Sequence, residues 1–369
     1  MARRWRSTEE APTPQSTLDS CITSPFARDL VSTPRRVSYL FRASLRTSTL
    51  WHNLLFYGPL LALFAWLLWL AARHGGSPVF HAPALQAVPS GPLLLVTADL
   101  RRSRGPALQA LLGRDGLPST SELRAACGED PLAGATEVAL AMPAASADGE
   151  FGVVVAGPLR VAPLIGCVER VIRARGGRPV VLREGAFAVV TDVASGSEGV
   201  VAASEGGPLL VGGLSYVRRM MATSVGREPS VEADARHVAL RAEAGEGALV
   251  VSALLSTDLR ERLQKGLGEG HSALAGVLGL GLSLGAADPA PLRLVVGCAS
   301  EVACSSTEAM LLRLRSEEGE GAPWLPGLRT AFASAEISRD GLTVRVRMQL
   351  PTSLLSTVGQ GLRDALGKP

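Results

Sequence analysis

"GVLGLGLSLGAADPAP", residues 276–291, admits two readings that lead to different folds. It contains Gly281-Leu282-Ser283-Leu284-Gly285, the G-x-S-x-G pattern of a nucleophile elbow, in which a strand ends at the serine and a helix starts directly after it. The residues that follow Ser283, LGAADPAP, have a turn composition with two prolines, which stops a helix. A strand accounts for the segment better. Side chains alternate across a strand, so Leu280, Leu282 and Leu284 share one side while Gly279, Gly281, Ser283 and Gly285 share the other. The second side is nearly bare backbone and admits close approach by a neighbouring helix or sheet. Ser283 is then a small residue on a smooth face.

Outward from this strand, two halves show the same order of elements. GPLLLVTADLRRSRGPALQALLG from Gly91 parallels GALVVSALLSTDLRERLQKGLG from Gly247, each an apolar strand run feeding an amphipathic helix. LAGATEVALAMPAASADGEFGVVVAGPL from Leu132 parallels LAGVLGLGLSLGAADPAPLRLVVGCAS from Leu274, each reading as strand, turn, strand. GCVERVIRARGG and ACSSTEAMLLRLRSEEGE follow as helices, and each half closes with hairpin strands and a helix. Asp148-Gly149, Glu184-Gly185 and Asp340-Gly341 supply hairpin dipeptides. LTVRVRMQL, residues 342–350, alternates as a half-exposed antiparallel strand should. The expected fold class is therefore α+β. Two tandem units of ferredoxin-like order (βαββαβ plus hairpin and helix), with mainly antiparallel sheets, occupy 91–230 and 247–369, joined by a linking helix over 231–246.

The N-terminal part is of another kind. Residues 54–72, LLFYGPLLALFAWLLWLAA, carry no charge and match the ~20 apolar residues that a bilayer core requires. Trp51, Tyr57, Trp66 and Trp69 lie near the ends of the run, as aromatic belts do. The run is longer than a cleavable signal core, and some fifty residues precede it, so a single transmembrane signal anchor over 51–73 is expected. Residues 1–50 hold eight arginines against four acids, a basic tail of disordered composition that the positive-inside rule keeps in the cytoplasm. A Gly/Pro-rich spacer, 74–90, leads to the folded part. The expected location is the inner membrane, with the C-terminal domain periplasmic.

Cys127, Cys167, Cys298 and Cys304 fall on the exported side, an even number in a disulfide-permissive compartment. Cys298–Cys304 joins the end of a strand to the start of the next helix, where a chain reversal brings the two together. Cys127–Cys167 follows by elimination. No Cys-x-x-Cys spacing occurs and no histidine lies near the cysteines in sequence, so neither metal nor cofactor is expected.

Catalytic chemistry finds little support. A triad needs a histidine base, and His237 reads as a helix-surface residue and His271 as a loop residue. GLGEGHSALAG lacks the Lys and Ser/Thr of a phosphate-binding loop. Glu129/Asp130 and Glu317/Glu318 are adjacent acids at turns or helix ends, and Trp324 packs a loop. The net charge of +3 comes from the tail, which leaves no basic face for nucleic acid. The expectation is a membrane-anchored, non-catalytic binding or assembly module with an envelope protein partner. A carrier of an apolar, lipid-like ligand is the first alternative, and a hydrolase with dispersed acids the second.

Overall fold

Strand alternation and glycine turns decide the architecture. The computed structural model describes residues 83–366 apart from 103–104, 108–109, 111–126, 129–131, 133, 144–149, 195–198, 262–274 and 317–327. The segment 276–291 forms β9 (Val277–Leu284), a turn and the start of β10 (Ala290–Cys298), paired antiparallel with Ser283 opposite Arg293 and Gly281 opposite Val295. No helix follows Ser283, so the elbow geometry is not formed. In β12 (Thr343–Leu350), Val344, Val346 and Leu350 are buried while Arg345 and Arg347 face the other way, as the alternation requires. β4 (Pro179–Glu184) and β5 (Phe187–Asp192) form one hairpin, and β11 (Glu336–Asp340) forms another with β12. Each turns on a Gly-x pair whose glycine has positive φ, 61° at Gly185 and 53° at Gly341, the geometry that a two-residue hairpin demands of its first central residue.

The remaining strands are β1 (Pro92–Asp99), β2 (Glu137–Pro143), β3 (Gly152–Ala156), β6 (Gly199–Ser204), β7 (Leu209–Gly213) and β8 (Leu249–Leu254). All twelve belong to one sheet, ordered β11-β12-β10-β9-β8-β1-β2-β3-β7-β6-β5-β4, and every pairing is antiparallel. The expected pair of ferredoxin-like units is thereby corrected. β1 uses both of its edges, so that Leu95 lies between Ala141 of β2 and Ser252 of β8. Each half pairs its first strand with that of the other; outward from this β1–β8 seam lie β2, β3, β7, β6, β5 and β4 on one side and β9, β10, β12 and β11 on the other. The first half also has four strands, β4 to β7, after its Val161–Ala174 helix, where the expected order provided one strand and a hairpin.

Helices cover both faces. On one lie α2 (Leu214–Ser224) and α3 (Ala235–Ala244). α2 closes a core with Leu95, Val154, Leu210 and Tyr216, while α3 lies over β8, β9 and β10. On the other lie α1 (Val161–Ala174), packed through Leu164 and Cys167, and α4 (Glu301–Ser316), packed through Cys304. The short α5 (Leu328–Ala333) and α6 (Thr352–Leu366) close that face near Leu284, Ala290 and Leu350. The segment expected to link two units is thus a packed layer over the centre of a single sheet. Among the described residues no helix is long and apolar enough to cross a membrane; the run 54–72, with the tail and spacer, lies outside them.

Candidate functional site

α3 organises the two clefts of the seam. Its start is set by Asp234, whose side chain accepts from the Arg236 N–H at 3.1 Å, and its end by Gly245 at φ 78°, whose N–H donates to the Arg241 carbonyl. His237, Leu240, Arg241 and Ala244, spaced i, i+3, i+4 and i+7, share the inward stripe. Each makes a specific contact with the sheet.

His237 is fully buried, not on the helix surface as its sequence context implied. Its Nε2 lies 2.8 Å from the Pro92 carbonyl and its Nδ1 2.7 Å from Ser252 Oγ. A carbonyl only accepts, so Nε2 carries the proton and Nδ1 accepts from the Ser252 hydroxyl. Burial holds the imidazole below its ordinary pKa, with the Pro92 hydrogen bond opposing. Ser283 donates to the Ala244 carbonyl at 2.6 Å, which satisfies a helix-end acceptor. Neither group is directed at the other, and both have structural partners. The smooth-face reading of β9 therefore holds for the glycines and needs correcting for Ser283, whose hydroxyl is used.

The glycines let α3 sit almost on the sheet. A Cβ at Gly281 would meet the Leu240 carbonyl oxygen at 2.5 Å and Ala244 Cβ at 3.4 Å, and one at Gly279 would meet Leu240 Cδ1 at 2.8 Å. Beside this contact runs a groove of about 510 Å³, floored by Gly279 and Gly297 and walled by Leu93, Leu240, Leu254 and Val295. Leu278 and Leu342 are exposed at its mouth, 46% and 51% respectively. On its rim, Arg345 holds Glu243 at 2.7 Å and Asp340 at 3.0 Å.

The opposite flank of α3 is polar. A cleft of about 550 Å³ is lined by Thr97, Asp99, Glu137 and Arg241, with Arg102 and Glu246 at its mouth. Arg241 Nη2 donates to Thr97 Oγ1 at 2.7 Å, whereas Nη1 is buried and, among the described residues, has no hydrogen-bond partner. Glu137 Oε2 accepts from the Ala84 N–H at 2.9 Å, and burial pushes this carboxyl above its ordinary pKa. Sequence reading missed Glu137 and Arg241. The one signal for Arg241 is its i, i+4 spacing from His237 in a helix whose inward stripe the sequence reading left unassigned.

Cys127 and Cys167 lie at disulfide distance, as do Cys298 and Cys304, with Cα separations of 4.7 and 5.5 Å, in the pairing read from the sequence. One ties the segment before β2 to α1, the other the end of β10 to α4. Among the described residues no group of three or more His, Cys, Asp or Glu could hold a metal ion. His271, Trp324, the Glu129/Asp130 and Glu317/Glu318 pairs and the Asp148-Gly149 turn lie outside the described residues.

No protein-family model and no curated protein matches the chain. Among solved structures it is similar to crystal form III of a protein named TP0453, at 13% identity and a TM-score of 0.46 over 76% of this chain and 99% of that one. Crystal form I of TP0453 gives 13% identity and a TM-score of 0.44 over 78% and 100%. At that distance the likeness carries no functional conclusion.

Proposed function

We propose that the protein is a non-catalytic binding module of the cell envelope that receives an apolar group in the groove beside α3. The groove itself carries this reading: about 510 Å³, glycine-floored, walled by leucine and valine, and bordered by two exposed leucines. Chemistry is disfavoured because Ser283 and His237, the side chains suited to nucleophile and base, are engaged with Ala244, Ser252 and Pro92. Glu137, the one carboxyl among the described residues held above its ordinary pKa, owes that first to burial; it faces Asp99 across β1 and β2, but Asp99 is engaged by the Arg101 N–H and the Arg102 side chain, and Arg241 opposes the shift.

An oxidising compartment suits the two cysteine pairs, and the arginine-rich N-terminus with its apolar run suits attachment at the inner membrane. In this reading the N-terminus is cytoplasmic and the sheet domain periplasmic, with an envelope protein that inserts apolar side chains as the partner. The volume and leucine lining of the groove favour a lipid-like ligand as the second reading.

A photo-crosslinking residue in place of Leu342, activated in native membranes, tests both. Protein adducts above those of a control at the equally exposed Val225 support the partner reading, and lipid adducts the carrier reading. No excess over the control at Val225 overturns both.

A further inference from the structure

Among the described residues the twelve-stranded sheet ends in two free edges, β11 and β4, and a free edge is a template for another strand. The two are built differently. β11 reads EISRD, with Arg339 paired to Glu308 of α4 at 3.0 Å and Glu336 to Arg347 at 3.8 Å, charges that blunt an edge. β4 reads PVVLRE, and its Val181 and Leu182 are 41% and 51% exposed on opposite faces. Six strands separate it from β8, so its use is independent of the groove.

Backbone parity decides which groups of β4 point outward. The Val193 N–H donates to the Arg178 carbonyl at 3.1 Å, so residues 178, 180, 182 and 184 bond to β5. Residues 179, 181 and 183 therefore turn their backbone groups to the free edge, where Pro179 offers a carbonyl but no N–H. A second β4, antiparallel and centred on Val181, fits this row. Val181 exchanges both of its bonds with Val181 of the copy, and the Arg183 N–H donates to the Pro179 carbonyl. Val180 then lies opposite Leu182 of the copy, and the exposed Arg178 opposite Glu184. Glu184 also holds Arg218 of α2 at 3.1 Å, and a carboxylate has acceptor sites for both arginines. A register centred on Leu182 would instead carry Arg178 past Glu184 to the turn at Ala186. RPVVLRE, residues 178–184, is thus complementary to itself in charge and in backbone bonding, as a two-fold contact requires.

We propose that β4 pairs with β4 of a second copy across a two-fold at Val181, joining two sheets edge to edge in a homodimer. The contact is smaller than that of a permanent dimer, so monomer and dimer should exchange between about 1 and about 100 μM. Sedimentation equilibrium of the full-length protein in density-matched detergent, over that range, tests it. Val181→Pro removes an N–H that faces the copy and none that bonds β5, and should weaken dimerisation about tenfold or more with the circular dichroism unchanged. Arg178→Glu sets like charges opposite each other at both ends of the contact and should weaken it about tenfold. Arg183→Glu, the same change of charge placed opposite Pro179, should alter it by less than about threefold. Should Val181→Pro fail to fold, the two arginine variants decide. A wild type still monomeric at about 100 μM, a dimer that Val181→Pro leaves as tight, or an Arg178→Glu effect no larger than that of Arg183→Glu overturns the proposal.

Discussion

The two flanks of α3 meet the same sheet by opposite means. Toward β9 and β10 the contact is made by removing side chains: glycines at 279 and 281 let the Leu240 backbone approach until a methyl group would not fit. Toward β1 and β8 it is made by adding polar ones, with His237 bridging Pro92 and Ser252 and Arg241 reaching Thr97. A close-packed contact tolerates no increase in volume. A buried polar contact tolerates no loss of a partner. Substitutions on the two sides should therefore fail for different reasons and by different amounts.

The largest effect belongs to the glycine side. Gly281→Leu would drive its Cβ into the Leu240 carbonyl, so α3 must lift or β9 must shift, and a loss of about 3 kcal/mol or more in urea denaturation is expected. A loss below about 1 kcal/mol would remove close packing as the reason for these glycines. His237→Leu comes next. It leaves the Ser252 hydroxyl and the Pro92 carbonyl buried without their partner, at about 2–3 kcal/mol.

The same histidine gives the polar side a pH signature. Because burial lowers the native pKa, the unfolded chain takes up a proton below about pH 6.5 that the native ring refuses. Stability should fall as pH drops below that value and be insensitive to this residue above it. The difference between wild type and His237→Leu, measured from about pH 8 to pH 5, should carry this slope; a flat difference would mean that the ring accepts the proton in place. Ser283→Ala should cost about 1 kcal/mol through the Ala244 carbonyl, and leave binding in the groove unchanged. Smallest is Arg345→Gln on the groove rim, where a largely solvated ion pair with Glu243 and Asp340 is worth about 0.5 kcal/mol and should lose that value in high salt.

The parity of β9 was legible because Gly279, Gly281 and Ser283 alternate with leucines, and periodicity of 2 is a local property. The same holds for β12 and for the glycines of the 185 and 341 turns. What α3 contributes was not legible. VEADARHVALRA was read as a connector, so its inward stripe was never assigned, and two of the four residues in that stripe, His237 and Arg241, are polar. An apolar-periodicity count therefore passes over it. The joining of the halves was hidden for a related reason. Alternation fixes which face of β1 is buried but says nothing of which strand lies along its free edge, and both a neighbouring loop and β8 would satisfy the pattern.

The β1–β8 seam also dictates an order of events during synthesis. Thr97 of β1 reaches the Val250 carbonyl of β8 across 153 residues of chain, so β1 emerges long before the strand that covers its outer edge exists. Until then the nascent chain presents a row of unpaired N–H and C=O groups beside an apolar surface, the type of edge that recruits other strands. α3 is made immediately before β8 and brings His237, which holds β1 at Pro92 and β8 at Ser252. A chain ending near residue 246 would keep that edge open permanently. The first half is for this reason not a smaller version of the protein but an adhesive fragment of it, and its solubility depends on the late arrival of the second half.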